Sequence, residues 1–309
     1  MHRDKPIKVL IIGFGPLGLR LAQNLIDDSR FDLKAIVDND SKKLGQNFEN
    51  IEIKQDLIEV IKSDSFDLAF VTTSSQIEKI KETIFQLTKN KVNVISSCEE
   101  LIFPLDSHPE LSREIDELAK ANDIRVLGTG INPGFLMDYF VSTLAKPFLK
   151  LKKVFYQRNI NTNFRRSSFK NKVGVGMTLE EFETKKQAGH IGHVGFKQSV
   201  DMLAHHFSWK LKNYSEHLEP VMKESLVKGI DQKAISKYED GNSIELCFMA
   251  VEDLQDSDRI VLDFEDLDVP MLVRIPSGIN GETGTVSMLM NSAQKLLTLN
   301  PGLKTMLDL

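Results

Sequence analysis

Two adjacent carboxylates, Glu99 and Glu100, follow the apolar run Val92 to Ile95 and the small residues Ser96 and Ser97. That order puts them at the carboxyl end of a buried strand. A carboxylate there, partly desolvated by its ligands, can have a raised pKa and act as a general base. The bland alternative is a Glu that caps the start of a helical turn. Cys98, beside the pair, has the chemistry of a thiol nucleophile, although a buried free Cys is more often inert packing. Farther along, Gly189-His190-Ile191-Gly192-His193-Val194-Gly195 sets two imidazoles three residues apart. No carboxylate or Cys completes a ligand set locally, so no metal is expected, and His193 reads as a substrate-facing group. Gly128 to Asp138 holds three glycines and a proline, which fix the backbone where the chain leaves its first half. Asn132, Phe135 and Asp138 from this run are further pocket candidates.

The segment Gly13-Phe14-Gly15-Pro16-Leu17-Gly18 is a G-x-G-x-x-G that follows a strand and opens a helix. Its glycines allow a tight turn, close approach of a pyrophosphate and tight helix packing, and the helix N-terminus attracts the phosphates. Asp38 ends the next strand, about 20 residues beyond Gly18, where an acid binds the ribose hydroxyls of NAD. Its charge would oppose a 2'-phosphate, while Lys42 and Lys43 could offset that; NAD(H) is preferred and NADP(H) is allowed. Thr72, Thr73 and Ser74 follow the third buried strand, at the sheet edge where such ligands sit.

The elements that must position these groups alternate along the first 130 residues. Apolar runs at Lys8 to Ile12, Leu33 to Val37, Leu68 to Thr72, Val92 to Ile95 and Ile124 to Leu127 read as strands of a parallel sheet. Amphipathic stretches at Leu17 to Asp27, Leu57 to Ile61, Ile77 to Leu87 and Leu111 to Ala121 read as helices between them. Beyond Gly128 a helix is expected at Phe135 to Leu144, then strand and loop from Val154 to Gly195. Strands follow at Ile244 to Val251, Arg259 to Phe264 and Met271 to Ile275, and a last helix at about 286–299. The fold class is α/β: a Rossmann-type doubly wound parallel sheet over 1–130 and an α+β substrate domain over 131–309. The reading allows the last helix to pack back on the first domain.

The 309 residues suit two domains, and 41% apolar with 27% charged residues suits a globular protein. With 39 basic against 44 acidic side chains, the net charge of -5 argues against nucleic acid as a partner. No apolar run reaches the roughly 20 residues that span a bilayer, and no signal peptide is indicated, so a cytoplasmic protein with no membrane partner is expected. Two cysteines make no disulfide framework. A strand-rich second domain commonly carries a dimer interface, and a homodimer is expected.

Several motifs occur together in order: the glycine loop, Ser97-Cys98-Glu99-Glu100-Leu101, Gly128 to Asp138, Gly192-His193-Val194-Gly195, Gly281 to Asn291 and Pro301-Gly302-Leu303. Over nearly the whole chain this resembles 2,4-diaminopentanoate dehydrogenase and related NAD(P)-dependent amine dehydrogenases, whose fold is like that of dihydrodipicolinate reductase. The resemblance implies reversible oxidative deamination of an amine to a ketone and ammonia, with a carboxylate at Glu99 or Glu100 that holds ammonium and activates water. It also implies that His193 lines the pocket, and that Arg165, Arg166 and Lys172 meet a substrate carboxylate or serve structure. The chain departs from the family's frequent His-Gly-Asp in the tail, reading Asn280-Gly281-Glu282. A C=N reductase of the dihydrodipicolinate reductase type, or a non-catalytic NAD(H) sensor, are the alternative readings.

Overall fold

The continuous apolar run at the start becomes β1 (Ile7–Ile12), buried along nearly its whole length, and Pro16 at the first helical position starts α1 (Pro16–Ile26). The computed structural model describes residues 5–276 and 278–309. After α1 come β2 (Phe31–Val37), β3 (Asn47–Phe48), β4 (Ile51–Lys54) and α2 (Leu57–Ser63), which Asp56 caps. β5 (Leu68–Val71), α3 (Ile77–Lys89), β6 (Asn93–Ser96), α4 (Pro109–Ala121) and β7 (Arg125–Gly128) complete the alternation. The next segments are α5 (Tyr139–Ala145), β8 (Leu151–Asn161), α6 (Ser167–Lys172), α7 (Leu179–Gln187), α8 (Phe196–Phe207), β9 (Leu211–Lys223), β10 (Leu226–Tyr238), β11 (Ser243–Val251), β12 (Asp258–Phe264) and β13 (Met271–Ile275). The chain ends with α9 (Gly281–Leu296) and β14 (Gly302–Lys304).

Two units result: the chain to Leu136 together with Asn280 onward, and Met137–Ile279. The sequence reading placed the division at 130/131 and counted the tail with the second part, while letting its last helix pack back on the first; here α9 and β14 belong to the first unit. The reason is visible in β14, which pairs in parallel with β7, and in Asn280, whose side chain caps α9 by accepting from Glu282 and Thr283.

The first unit holds a sheet in the order β14-β7-β6-β5-β1-β2-β4-β3, parallel except for the β3–β4 pair. β1 lies beside both β2 and β5, the point where strand order reverses and where doubly wound sheets bind their ligands. Its core joins Leu10, Ile12, Ala69 and Val71 of the sheet to Ile77, Ile80, Ile84 and Leu87 of α3. The second unit is a six-stranded mixed sheet, β13-β12-β8-β11-β10-β9, with β8 and β11 parallel and its other pairs antiparallel. α7 and α8 pack against β10. Two expectations are corrected here. The segment 154–195 holds α6 and α7 beyond its strand, because the capping box Thr178/Glu181 and a first turn rich in Glu start a helix there. The helix expected at Phe135 begins only at Tyr139, since Asp138 caps it.

Candidate active site

Contacts that only glycine allows shape the loop after β1. Gly13 has a φ of +94°, and a Cβ there would stand 2.7 Å from Thr73 Cγ2 and 2.9 Å from the Thr72 carbonyl oxygen. A Cβ on Gly18 would fall 2.0 Å from the Gly13 carbonyl oxygen, so α1 packs directly on the loop. Gly15 differs, with nothing within 4 Å of the place its Cβ would take. That open space is what a pyrophosphate needs to reach the backbone, and α1 has no side-chain cap to compete for its first N–H groups. Thr72 pins the loop by donating to the Gly13 carbonyl oxygen at 2.7 Å, and Ser74 Oγ accepts from Gln76 N at 3.1 Å.

Asp38 ends β2 with 7% of its surface exposed. One oxygen accepts from Phe14 N at 2.5 Å and from Lys43 Nζ at 3.0 Å; the other accepts from Asp40 N at 2.8 Å. Burial alone would raise its pKa, but the hydrogen bonds from Asp40 N, Lys43 and Phe14 N together hold it below the usual value. A carboxylate has about four acceptor sites, so capacity remains for a ribose hydroxyl. The residues present therefore fit a dinucleotide.

The two glutamates part company. Glu100 accepts from Ile77 N at 2.8 Å, capping α3, and lies 3.8 Å from His108 Nε2. Glu99, half-buried on the 3-10 turn that follows β6, has no side-chain hydrogen bond or ion pair among the described residues. Between them and the strand, Cys98 is fully buried and its thiol donates to the Ser75 carbonyl oxygen at 3.1 Å. Burial pushes that thiol up to about 12, so the nucleophile reading fails. The turn after β7 is tied to α9, with Ile131 N donating to Thr285 Oγ1 at 3.3 Å; Asn132 and Phe135 are half-buried on it.

In the second unit Asp138 is fully buried and accepts from Tyr139 N and Ser199 Oγ, each at 2.7 Å. It caps α5. Arg165 stands 5.4 Å over the Phe169 ring at the start of α6. His190 is exposed, while His193 is half-buried and stacked on Phe248 with ring centroids 4.8 Å apart. No His, Cys, Asp or Glu cluster suited to a metal occurs among the described residues.

His193 belongs to a row across the sheet. Arg158 of β8 pairs in register with Phe248 of β11, and Phe248 with Gln232 of β10. Gln232 grips the His193 backbone twice, accepting from its N–H at 2.7 Å and donating to its carbonyl at 3.0 Å. Gly192 must be glycine for this: its φ is +115°, and a Cβ would stand 3.0 Å from Gln232 Oε1. Arg158 and Asp258 form an ion pair, 2% and 0% exposed, and Arg158 also donates to the Ile279 carbonyl. Burial, then the charges of Lys172 and Arg158, push the His193 imidazole down to about 3, so it is neutral at ordinary pH. Sequence reasoning missed Arg158, Gln232, Phe248 and Asp258. One signal was present: Val154, Tyr156, Arg158 and Ile160 alternate inward, with a charge where an apolar residue belongs.

A glycine loop of this shape at a strand-order reversal holds a dinucleotide. With a mixed-sheet second unit it defines a class, the nicotinamide-dependent dehydrogenases with a dihydrodipicolinate reductase-like fold. The solved structure of an amine dehydrogenase from Mycobacterium smegmatis superposes with a TM-score of 0.84 at 18% identity, covering 100% of this chain and 97% of that one. A dihydrodipicolinate reductase from Paenisporosarcina sp. TG-14 gives 0.56 at 14% identity, covering 97% of each. The chain belongs to the 2,4-diaminopentanoate dehydrogenase family: residues 135–309 match the model of that enzyme's C-terminal domain. Residues 4–100 match the model of the CoA binding domain. A 2,4-diaminopentanoate dehydrogenase from Acetoanaerobium sticklandii is 29% identical over 98% of this chain and 93% of its own length.

Proposed function

We propose that the chain catalyses reversible NAD(P)-linked oxidative deamination. An amine such as 2,4-diaminopentanoate, oxidised coenzyme and water would give a ketone, ammonium, reduced coenzyme and a proton. The observation that carries the assignment of the base is the contrast between the two glutamates. Glu100 is spent on capping α3, while Glu99 is half-buried with no partner among the described residues. Glu99 would hold the ammonium, take its proton, and then orient water for attack on the iminium carbon. The bound nicotinamide would supply hydride acceptance from the amine carbon. Gly13, Phe14, Gly15, Pro16, Leu17 and Gly18 would hold the pyrophosphate, with Asp38 on the ribose. The family match and the relative from Acetoanaerobium sticklandii support an amine as the substrate.

NAD(H) is the preferred coenzyme in this reading, because Asp38 presents negative charge. Lys43, 3.0 Å from Asp38, keeps NADP(H) possible. The protein would act on small amine and ketone substrates as a homodimer. Half-buried Phe155, Met249 and Val261 on one face of the second unit's sheet favour the dimer, which light scattering tests.

The test is NADH oxidation with a panel of ketones that includes 2-amino-4-oxopentanoate, with and without ammonium. Consumption that requires both is the expected result. Ammonium-independent consumption would overturn the proposal in favour of a C=N or carbonyl reductase, and NADH binding without turnover would favour a sensor.

A further inference from the structure

Gln232 holds His193 by both backbone groups, so whatever holds Gln232 also bears on the imidazole. Its side chain comes from the buried face of β10, 4% exposed, where polar groups need partners. An amide nitrogen carries two hydrogens. One goes to the His193 carbonyl at 3.0 Å, the other to Glu216 Oε2 at 3.4 Å. Glu216 stands on β9 opposite Ala234, which makes Gln232 its diagonal neighbour on the same face, a separation that long side chains span. The other oxygen of Glu216, Oε1, accepts from the Tyr214 hydroxyl. Burial, and then the hydrogen bond to Glu216, push the Tyr214 phenol up, so it stays a donor at ordinary pH. Turned over, the Gln232 amide would set its oxygen against the His193 carbonyl and the carboxylate at once. Glu216 thus adds a charged acceptor to the orientation that His193 needs, and ties the amide to β9 rather than leaving it to move with the loop it holds.

We propose that Glu216 is a positioning residue: acting through Gln232, and held in turn by Tyr214, it fixes the place of the His193 imidazole. For its effect on turnover the inference rests on the deamination reading, with His193 lining the substrate pocket. Glu216 itself is exposed at the sheet edge and reaches His193 only through the buried amide. Its influence is therefore on where the neutral ring sits, and not on the reacting atoms.

The test has two arms. The first follows the His193 ring by NMR of the whole protein, its Hε1 signal assigned by its loss in His193→Asn. The stacked Phe248 ring, 4.8 Å away between centroids, displaces that signal, so its shift reports where the imidazole sits. Glu216→Ala should move it, and Tyr214→Phe should move it less. Glu216→Gln, which keeps an acceptor for Gln232, should leave it near the wild-type value. An unmoved signal in Glu216→Ala would overturn the proposal. The second arm measures KM and kcat for 2-amino-4-oxopentanoate with ammonium and NADH. Glu216→Ala should raise KM roughly threefold to tenfold, the scale of coupling between neighbouring groups, with kcat and NADH binding nearly unchanged. Glu216→Gln should recover most of that loss. In a Gln232→Met background Glu216→Ala should add nothing, because its path to His193 is already cut. Losses that add would show Glu216 acting by another route and would sink the idea. A wild-type protein without ammonium-dependent turnover would count against the deamination reading, and the NMR arm then decides the positioning role alone.

Discussion

In the first unit, charge is handled by backbone. The loop after β1 offers open space at Gly15 and N–H groups at the start of α1, and the buried Asp38 after β2 is tied to Phe14 N and Asp40 N as well as to Lys43. In the second unit, charge is handled by side chains from separate strands: Arg158 on β8, Gln232 on β10, Phe248 on β11 and Asp258 on β12. The first arrangement suits a ligand part common to many enzymes, since phosphates need donors more than shape. The second suits discrimination, because each strand contributes one adjustable group. On the proposed function, substrate range would change in the second unit while the coenzyme loop stays as it is.

That contrast can be broken at either end. The largest effect is expected from Gly18→Ala, whose Cβ would meet the Gly13 carbonyl oxygen at 2.0 Å. Titration of NADH fluorescence should show binding lost, and near-normal binding would mean the loop is not set by backbone contact. Next comes Asp258→Ala, which strands a buried guanidinium and should cost about 3–5 kcal/mol in denaturant unfolding. The double change Arg158→Met with Asp258→Leu should recover much of that loss. A smaller effect concerns pH. His193 has a folded value of about 3, below the ordinary 6.5, so the unfolded chain binds the proton more readily. Its contribution is therefore neutral above 6.5 and becomes destabilising as pH falls from 6.5 towards 3. Thermal melts across that range should fall less steeply in His193→Asn than in the wild type. The smallest expected change is Lys43→Ala, which should raise the KM for NADPH roughly threefold to fivefold while leaving that for NADH nearly unchanged.

The sequence made the first unit legible because its site is contiguous. A strand, three glycines, a helix and one acid at the next strand end are dictated by local backbone, and the apolar runs match β1, β2, β5, β6 and β7 closely. The hairpin of β9 and β10 was missed. β9 lies mostly exposed at the sheet edge, and β10 turns Gln232 and Ser236 inward and carries Gly229 at an irregular register, so neither shows a clean apolar alternation. The wall of the second unit stayed hidden for the same reason: Arg158 and Asp258, 100 residues apart, meet only through strand pairing. His193 was singled out because its glycines mark the turn, but its grip by Gln232 was not legible. Glu99 and Glu100 could not be separated by neighbours in sequence. Only the fold shows that Ile77 N takes one of them.

The central claim is that Glu99 is the base and Glu100 a helix cap. The most direct measurement is ammonium-dependent NADH oxidation by Glu99→Gln and Glu100→Gln side by side, with NADH binding measured on each. Glu99→Gln should lose about 10²- to 10⁴-fold in kcat with NADH binding intact, as loss of a general base does. Glu100→Gln should keep most of its kcat and show its effect in stability. Full activity in Glu99→Gln, or the larger kcat loss in Glu100→Gln, would contradict the account.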